Sequence, residues 1–497
     1  MKKKYSNTNV DICLIATGDV NQGIRSLSSF LKEQGYTVIL GFFSSWGCYT
    51  TKERQSIQQW IRELNPKIIG FSTGEVSRAR TVALISMLKE EHRPIIVGGH
   101  DPTLNPELYM MHADYVIRGE GEYACAELLD AVLHGRDARG ILNLCYRNAE
   151  GGMVINPLRP LIQDLDSIPF EDWLDVEHHY ELKEQAITKK ENYLEHRVMS
   201  GEMKACFFIF TIRGCHFSCN FCTQIQIVYR LSHHKPPIAK RSIASVIRRV
   251  EQLINIGAAD VVLFADNDFF LRTYAEIKEF AEAWKQKIHL PFMALCTPLT
   301  LDEAKLKELS SAGTWINMGI QSGSERINYA LYGRKMGHSS IIKASRLLSQ
   351  YGTGLLPPLY DVIINNPYET AEDLKQSISL FRQLSKPYFA GMYSLIFFQG
   401  TPLYEKAIHD GLLAGADPTA GYNWHNIMRH FDNLIRRGGH YYLNSLLYWM
   451  SGEHTHKRYG VVPGSWLDFL TKDSTIKFFN THSWLVTLLN RMVLRLK

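Results

Sequence analysis

The stretch "RGCHFSCNFC", residues 213–222, places three cysteines, Cys215, Cys219 and Cys222, close together in a chain of 497 residues that has only nine cysteines. Thiolates on one loop can hold one metal centre, and thiolate ligands select zinc or iron–sulfur clusters. A structural zinc ion is usually bound by four protein ligands, whereas this loop supplies three. The spacing therefore favours an iron–sulfur cluster with one open iron.

Two residues near this loop were weighed as a fourth ligand for zinc. Cys206 falls at the start of the preceding predicted strand, at the far end from the loop. His216 adjoins Cys215 and is badly placed to complete a tetrahedron with it. A zinc loop and three merely buried cysteines remain the alternatives.

The overall composition is that of a soluble globular protein with two or three domains. Apolar residues make up 45% of the chain and charged residues 21%, without a low-complexity tract. The odd, thinly spread cysteines argue against a disulfide framework. A net charge of +5, not gathered into a basic stripe, gives little support for nucleic-acid binding.

The amino-terminal sequence "MKKKYSNTNVDICLIATGD" has a basic start, but its apolar run is short and contains Asp11. We predict no signal peptide from it. No window reaches about 18 uncharged apolar residues, so no transmembrane helix is predicted either. A cytoplasmic location is expected.

Residues 9 to about 135 alternate short β-branched runs with helical stretches, beginning with "VDICLIA" and "GIRSLSSFLKEQG". Uninterrupted apolar strands alternating with helices predict a parallel sheet with helices on both faces, a doubly wound or Rossmann-like fold. Ligands of such sheets lie beyond the carboxyl ends of the strands. Small residues collect at those ends: Gly18 to Gly23, Ser72 to Gly74, Gly98 to His100, and Gly119 to Gly121.

The rest of the chain divides into three parts. Residues 141–205 lack the alternation and are predicted to form a connector containing a hairpin, "NLCYRNAEGGMVIN". Residues 206–420 supply six more strands alternating with helices, which predicts a partial (βα)6 barrel with its chemistry at the carboxyl ends of the strands. Residues 421–497 form a small, mainly helical region. The predicted class is thus α/β, with the first domain spanning residues 1–140.

The cysteine loop resembles the cluster motif of the radical S-adenosylmethionine (SAM) superfamily. The resemblance implies that Cys215, Cys219 and Cys222 bind a [4Fe–4S] cluster whose fourth iron is chelated by SAM. It also implies that Phe221 packs near the adenine, and that an electron from the cluster cleaves SAM to a 5′-deoxyadenosyl radical.

Segments at later strand ends are similar to other motifs of that superfamily. These are the acidic turn Asp266 to Asp268, "QSGSERI" from Gln321, "DVIINNPYETAEDL", and "FFQGTPLYEKA". They imply SAM contacts by Asp266, Gln321, Ser322 and Ile363. The third segment departs from the usual glycine-rich pattern at Asn365, Asn366 and Tyr368, and the fourth has Gln399 where proline is usual.

The first domain resembles the cobalamin-binding domain found upstream of radical SAM cores. The segments "GGHDPTLNPEL" and "ADYVIRGEGEYACAELL" carry this resemblance. It implies cobalamin contacts by the following residues: Asn21, Gly23, Ser72, Thr73, Gly98, Gly99, His100, Gly119 and Glu120.

The loop "GDVNQG" departs from the D-x-H-x-x-G pattern of many cobalamin domains, because Asn21 stands at the histidine position. Cobalt is therefore expected to lack a histidine below it. Glu75 or Arg78 is a candidate to approach cobalt; alternatively, both merely begin the next helix, where Glu75 favours the positive helix end. A further alternative is a domain that has lost cobalamin and acts as a scaffold.

The sequence of the carboxyl-terminal region is compatible with more than one role for its last helix and for its aromatic side chains. Its last helix carries Trp484 and Leu488 together with basic residues, so it either lies on a membrane surface or packs against the barrel. The ring-bearing side chains of this region were considered for a substrate pocket, against ordinary core or surface positions: His440, Tyr441, Tyr442 and Trp449. Cys296, which ends the third barrel strand, is expected in the core.

These features together predict a cobalamin-dependent radical SAM enzyme that methylates an unactivated carbon of a small-molecule, lipid or natural-product substrate. The resemblance implies a 5′-deoxyadenosyl radical, methylcobalamin and an electron donor such as flavodoxin or ferredoxin. A cyclase, oxidase or ring-rearranging enzyme with the same cofactors is the main alternative, and a non-catalytic cobalamin or iron–sulfur sensor is another. Neither a nucleic-acid partner nor an RNA-modifying role is expected.

Overall fold

The computed structural model describes most of the chain. The described residues are 9–17, 21–44, 48–173, 176–190, 195–199, 202–224, 238–255, 257, 259–352, 356–413, 440–450 and 466–496. Contacts divide the chain into two units. The first contains residues 1–193, 221–239 and 397–427, and the second contains residues 194–220, 240–396 and 428–497.

A nine-stranded sheet forms the centre of the first unit. Its strands are β1 (Ile12–Ala16), β2 (Val38–Phe42), β3 (Ile68–Ser72), β4 (Ile95–Gly98), β5 (Tyr115–Ile117), β6 (Leu144–Arg147), β7 (Met153–Ile155), β8 (His179–Lys183) and β9 (Ala186–Lys189). They lie in the order β7-β6-β5-β4-β3-β1-β2-β8-β9. Strands β5-β4-β3-β1-β2-β8 are parallel, so the predicted doubly wound sheet is confirmed.

Helices cover both faces of this sheet. They are α1 (Gln22–Glu33), α2 (Thr51–Leu64), α3 (Arg78–Leu88), α4 (His100–Leu104), α5 (Pro106–Met110) and α6 (Glu122–His134). Alternate residues of β1 point to opposite faces, so Cys13 packs with the core under α2 and α3, and Leu14 packs with the core under α1 and α6. Because both faces of the sheet are buried against helices, successive residues of each strand are apolar, and the strands are continuous apolar runs in the sequence.

The segment predicted as a connector, residues 141–205, supplies four strands to the first sheet. Its hairpin is confirmed as the antiparallel pair β6 and β7, but this pair extends one edge of the sheet, and β8 with β9 extends the other. Strands β8 and β9 were missed because strands at a sheet edge are short and half exposed, which weakens the apolar pattern. Residues 141–193 therefore belong to the first unit.

A buried polar cluster fastens part of this segment to α1. Asp172 accepts hydrogen bonds from Lys32 Nζ and Ser28 Oγ, each at 2.6 Å. The guanidinium of Arg25 lies over the rings of Phe42 and Trp173, 4.4 and 3.9 Å from their centroids. Because Lys32 and Arg25 belong to α1, their contacts hold Asp172 and Trp173 against the doubly wound core.

A seven-stranded sheet forms the centre of the second unit. Its strands are β10 (Glu195–Met199), β11 (Glu202–Ile209), β14 (Val261–Phe264), β15 (Phe292–Cys296), β16 (Thr314–Gln321), β17 (Leu359–Ile364) and β18 (Phe389–Ser394); β12 (Ile212–Arg213) and β13 (Ala239–Lys240) form a separate ribbon. From β11 to β18 the six long strands are parallel and neighbours follow chain order, as predicted for a partial barrel. Strand β10 adds an antiparallel edge.

Helices alternate with these strands. They are α7 (Ile243–Ile254), α8 (Tyr274–Lys287), α9 (Glu303–Ser310), α10 (His338–Tyr351), α11 (Ala371–Gln383), α12 (Pro402–His409), α13 (Tyr441–Met450), α14 (Leu467–Leu470), α15 (Asp473–Thr481) and α16 (Ser483–Leu496). A π-helical turn spans Ile327–Leu331, and 3-10 turns span Glu75–Ser77, Lys89–Glu91, Leu165–Ser167, Val176–His178 and Phe269–Leu271. Of these, α12 groups with the first unit.

The two faces of the barrel sheet are packed differently. The inner face begins with an apolar layer that contains Cys206, Val261, Leu263, Trp315, Leu359 and Phe389, and the partly buried Met293 of β15 packs against it. The outer face packs on α8 through edge-to-face aromatic rings, which include Phe264, Phe280, Trp284 and Phe292. Cys296, at the end of β15, is buried as expected for a core residue.

The carboxyl-terminal helices form a small core that packs on the barrel through α11 and α13. Tyr442 stacks on Phe479 with ring centroids 4.4 Å apart, and Trp449 Nε1 donates to Asn490 Oδ1 at 2.7 Å. Core positions are thus found for Tyr442 and Trp449, whereas the side chain of Tyr441 lies outside the described residues.

The last helix packs on α13, and its Trp484 and Leu488 are exposed. No helix among the described residues is both long enough and apolar enough to cross a membrane. Contact of this helix with a membrane surface stays a prediction, because the side chains of its terminal basic residues lie outside the described residues.

We predict that Trp284→Ala destabilises the second unit by about 3–5 kcal/mol, since it removes a fully buried ring and leaves a cavity. Urea unfolding followed by circular dichroism measures this change as a lower midpoint. Trp466→Ala is the matched control, because that ring is 63% exposed. Equal midpoints for the two variants would contradict the packing described above.

Candidate functional site

The cysteine loop follows β12 directly at the carboxyl edge of the barrel sheet. Gly214 has φ +102°, a left-handed conformation that glycine adopts without strain. Cys215 and Cys219 are buried, and Cys222 is partly exposed. Among the described residues, no three His, Cys, Asp or Glu side chains converge on one metal ion. Thiolates of a cluster bind separate irons, so such convergence is not required of them.

Asp266 fixes the start of the cysteine loop, and its predicted contact with SAM stays a prediction. Its fully buried carboxylate accepts hydrogen bonds from Thr211 N (2.5 Å), Thr211 Oγ1 (2.6 Å) and Ile212 N (2.8 Å). Burial raises its pKa, and these bonds and Arg272 oppose that rise. Both carboxylate oxygens are thus used within the protein, two residues before Gly214. Asp266 is a positioning residue for the loop.

The other two residues of the acidic turn support the same arrangement. Asn267 Nδ2 donates to Gly214 O at 3.3 Å. Asp268 accepts from Phe270 N at 2.9 Å and from Thr300 Oγ1 at 2.5 Å, and burial raises its pKa to about 7. The turn therefore joins three strand ends of the barrel to one another.

The far end of the cysteine loop is held by residues 331–333, which the sequence analysis missed. Asn220 Nδ2 donates to Leu331 O at 2.9 Å, and Asn220 N donates to Tyr332 O at 3.0 Å. Gly333 has φ +68°, and a Cβ there would meet the Asn220 side chain at 3.2 Å. The loop is thus clamped at both ends, by the Asp266 carboxylate at its start and by the Asn220 side chain and backbone at its far end.

Arg334 is the second functional residue that the sequence analysis missed. This buried guanidinium lies with Nη1 4.0 Å from Cys219 Sγ and donates from Nη2 to Gly319 O at 3.0 Å. A guanidinium in this position favours anions, including a carboxylate of a ligand bound beside the loop. Its only sequence signal is a charged residue in the otherwise unassigned stretch "YGRKMGH".

The predicted SAM segment at the end of β16 has an unusual backbone. The pairing of β16 with β17 shifts register between Gly319 and Gln321, and Gln321 has φ +68°. A Cβ at Gly319 would meet Gln321 Nε2 at 2.7 Å, so the amide lies over this glycine. Non-glycine residues with positive φ are concentrated at binding and active sites. Asn365, at the end of β17, also has a positive φ of +57°.

Ser322 is engaged by neighbouring protein groups. Its buried hydroxyl donates to Glu369 Oε1 at 3.2 Å and accepts from Ser324 N at 3.1 Å. Ser324 Oγ in turn donates to Asp373 Oδ1 at 2.6 Å. A Cβ at Gly323 would lie 2.3 Å from Ser377 Cα, so the loop packs directly on α11. Ser322 therefore anchors the segment, and its predicted contact with SAM stays a prediction.

Ile363 and Phe221 are the remaining predicted SAM residues. Ile363 is buried at the end of β17 on the inner face, and Phe221 is partly buried beside Cys222. Asn366, one of the departures from the family pattern, is buried and donates to Tyr332 Oη at 3.1 Å. That bond joins the loop after β17 to residues 331–333. It gives a structural reason for asparagine at position 366, where the motif usually has a smaller residue.

In the first unit, Asn21 has a structural role that explains the missing histidine. Its Oδ1 accepts from Ile24 N at 3.0 Å and caps α1, and its Nδ2 lies 3.3 Å from Ser72 Oγ. Gly23 packs against both side chains. Gly18 of the same loop lies outside the described residues. Asn21 thus connects α1 with β3, and its predicted contact with cobalamin stays a prediction.

Small residues at the ends of β4 and β5 pack tightly on one another. Gly99 has φ +112°, and a Cβ there would lie 2.3 Å from Thr73 O. Thr103 Oγ1 donates to Gly99 O at 2.6 Å and accepts from Gly119 N at 2.9 Å. Gly99 is therefore required by the close approach of the loop after β3. A Cβ added at Gly98 would lie 3.5 Å from Ile117 O, which is an ordinary van der Waals distance.

Two other predicted cobalamin residues have protein partners in the structure. Glu120 Oε2 accepts from Ile162 N at 2.6 Å, and its carbonyl accepts from Asn143. His100 Nε2 lies 2.9 Å from Gln224 Nε2. Their contacts with cobalamin stay predictions, and so do those of the glycines around them.

Glu75 and Arg78 are both bound within the protein. Arg78 forms a two-point ion pair with Asp101, with both N–O distances 2.6 Å, and donates from Nη1 to Gln399 Oε1 at 3.0 Å. Both carboxylate oxygens of Glu75 accept from Gln399 N at 3.1 Å. Burial raises the pKa of Glu75 to about 8 against this hydrogen bond. The helix-start interpretation of these residues is thus favoured over an approach to cobalt.

This cluster also explains Gln399, which replaces the usual proline. Proline has no N–H to donate to Glu75 and no side-chain oxygen to accept from Arg78. Asn105 Nδ2 lies 3.4 Å from Gln399 O, so the residue has contacts through its side chain and both backbone groups. Gln399 thus forms hydrogen bonds with both buried charged groups, Glu75 and Arg78.

The residues at these two edges fit the cofactors that the sequence implies. The cysteine loop carries three thiols with a guanidinium beside one of them, as an anionic cluster and a carboxylate ligand require. The strand ends of the first sheet carry glycines and small hydroxyl residues, which allow a large ligand to approach the backbone.

Comparisons with known proteins give the same assignment. Residues 19–129 match the sequence model of the B12-binding domain, and residues 209–381 match that of the radical SAM superfamily. A radical SAM domain implies a [4Fe–4S] cluster and SAM, and a B12-binding domain implies cobalamin. The three predicted cofactors are therefore confirmed.

Two curated relatives show how the chain compares in sequence. An uncharacterized methyltransferase, PH0819 of Pyrococcus horikoshii, is 29% identical over 399 residues, which are 79% of each chain. The anaerobic magnesium-protoporphyrin IX monomethyl ester cyclase of Rubrivivax gelatinosus is 24% identical over 376 residues, which are 72% of this chain and 61% of the cyclase.

Two solved structures share the fold. The radical SAM methyltransferase TsrM from Kitasatospora setae, with cobalamin and a [4Fe–4S] cluster bound, has a TM-score of 0.61 at 18% identity and covers 83% of this chain and 81% of its own. The cobalamin-dependent SAM radical enzyme OxsB has a TM-score of 0.65 at 16% identity. The match covers 97% of this chain and 72% of the OxsB chain. Both confirm the predicted order of a doubly wound domain and a partial barrel.

We predict that Asp266→Asn weakens the cysteine loop by about 1.5–3 kcal/mol, because an amide turns a donor group toward the N–H groups that the carboxylate accepts from. Iron and sulfide content after anaerobic reconstitution should fall well below that of the wild type. Asp302→Asn is the control, since it changes an exposed aspartate that caps α9 and asparagine caps equally well. Full iron loading of Asp266→Asn would show that the clamp is unnecessary.

Proposed function

Because the chain carries a B12-binding domain followed by a radical SAM domain, we propose that it is a cobalamin-dependent radical SAM methyltransferase acting on an unactivated carbon. The proposed substrate is a small molecule, a lipid or a natural product. One observation carries the proposal furthest: a cysteine loop clamped at both ends stands at the carboxyl edge of a parallel barrel, with Arg334 beside Cys219.

When bound, the cluster supplies the electron that cleaves SAM, and cobalamin supplies a carrier for the methyl group. The protein residues position these groups. Asp266 and Asn220 fix the two ends of the cysteine loop, so the thiols are ordered before any ligand arrives. Arg334 offers positive charge next to Cys219 for the carboxylate of SAM.

The inner face of the barrel excludes water below this edge. Its apolar layer, which includes Trp315, Leu359 and Phe389, is buried. A radical formed in a dry, closed site is protected from side reactions. The strained backbone at Gln321 and Asn365 borders the same edge, where pre-organised backbone groups favour ligand contact.

Methyl transfer is favoured over other outcomes by one relative. The longest-matching relative described above is named as a methyltransferase, and it covers 79% of this chain. A cyclase is the second candidate, because the magnesium-protoporphyrin IX monomethyl ester cyclase also matches, at lower identity. Either reaction needs an external reductant, for which a flavodoxin or ferredoxin is proposed.

We predict that anaerobically reconstituted protein, supplied with cobalamin, a reductant and SAM carrying a deuterated methyl group, forms 5′-deoxyadenosine and transfers the labelled methyl group to its substrate. Mass spectrometry of small-molecule and lipid extracts, incubated with the protein, measures the gain of one trideuterated methyl group. Cys219→Ala is the inactive control, and Cys48→Ala, which changes an exposed cysteine, should behave as the wild type.

The results separate the candidate functions. Label transfer together with 5′-deoxyadenosine supports a methyltransferase. Formation of 5′-deoxyadenosine with a changed extract component but without label would favour the cyclase or oxidase alternative. Absence of 5′-deoxyadenosine under all conditions would contradict both and favour a sensor.

A further inference from the structure

The Asp361 carboxylate stands on the inner face of the barrel, between the apolar layer and the candidate SAM edge. Asp361 lies on β17 between Leu359, which belongs to the apolar layer, and Ile363, which is near the edge. Alternate strand residues share a face, so these three side chains point into the barrel. A charged group at this depth requires an explanation, since burying an unpaired charge is costly.

The neighbours of Asp361 in the sheet are glycines. Asp361 pairs with Gly319 on β16 and with Gly391 on β18. A Cβ at Gly391 would lie 2.8 Å from Asp361 Oδ1 and 3.1 Å from the Tyr393 hydroxyl. The carboxylate and this phenol therefore lean over Gly391, and on the other side the Gln321 amide lies over Gly319.

Two acceptor oxygens in this region are unpaired. Among the residues that the structure describes, Asp361 Oδ1 and Asn317 Oδ1 are buried without a hydrogen-bond partner. Asn317 faces the same side of the sheet, next to Leu359 in the pairing register. Burial raises the pKa of Asp361 to about 7, and hydrogen bonds from the side chains of Asn317 and Tyr393 to this carboxylate oppose the rise, so the unpaired atoms are the two Oδ1 oxygens and not the whole carboxylate. Native proteins rarely leave such oxygens unsatisfied, so a ligand is expected to donate to them.

We infer that Asp361 and Asn317 form a substrate subsite that binds a protonated amine. An ammonium group has three N–H donors and a positive charge, so it satisfies both oxygens and compensates the buried carboxylate. A neutral hydroxyl supplies one donor and no charge. The inference rests on the proposed function, because it names the chemical class of the substrate: an amine whose apolar part lies against the inner face of the barrel.

Binding of model amines to the full-length reconstituted protein tests the assignment. Isothermal titration compares methylamine, n-butylamine and phenethylamine with their alcohol counterparts methanol, n-butanol and 2-phenylethanol. At least one amine should bind the wild type, more tightly than its alcohol. Asp361→Asn should weaken that binding about tenfold or more, since it removes a charge-assisted hydrogen bond.

Two glycine variants extend the test without altering the carboxylate itself. Gly391→Ala places a methyl group against Asp361 Oδ1 and should also weaken amine binding, whereas Gly140→Ala, which has open space around it, should not. Circular dichroism and the urea midpoint report whether each variant folds. If Asp361→Asn fails to fold, Gly391→Ala decides the question.

Several outcomes would overturn the assignment. They are the absence of binding by all three amines, equal affinity for an amine and its alcohol, or unchanged amine affinity in both Asp361→Asn and Gly391→Ala. These titrations omit the reductant and need no turnover. Failure of the subsite would therefore leave SAM cleavage measurable, and failure of SAM cleavage would leave amine binding measurable.

Discussion

The second unit depends on one constraint: a loop with three cysteines must keep its shape whether or not a cluster is bound. A buried carboxylate, Asp266, meets this need by accepting two backbone N–H groups and one hydroxyl at the start of the loop. A charged acceptor in a dry interior binds such donors strongly, and leaving any of them unpaired would be costly. Asn220 provides the corresponding bonds at the other end. The barrel strands and the acidic turn after β14 can be understood as the support for these two anchors.

The same logic extends to positions where the chain departs from the usual pattern of its relatives. Gln399 replaces a proline and satisfies Glu75 and Arg78. Asn21 replaces a histidine and caps α1. Asn366 replaces a smaller residue and bonds Tyr332. At each of these positions the residue present forms hydrogen bonds within the scaffold.

The fold could be predicted largely from the sequence because both sheets are parallel and buried on both faces, which leaves long apolar runs. Strands β8 and β9 could not, since short strands at a sheet edge carry little apolar signal. The three cysteines could be found from spacing alone. Arg334 and Asp361 could not, because their importance arises only when β16, β17 and the loop after β16 come together. The motif pointed to Asp266 but not to its hydrogen bonds with Thr211 and Ile212, since a motif does not show which way a carboxylate points.

The account depends most on the claim that the cysteine loop presents an open iron to SAM. Electron–nuclear double resonance of the reduced, reconstituted protein, with SAM labelled by 15N at the amino group and 17O at the carboxylate, measures this directly. The account predicts hyperfine coupling of both labels to the cluster, and loss of the carboxylate coupling on changing Arg334 to Gln. A reduced cluster that shows no coupling to either label would contradict it.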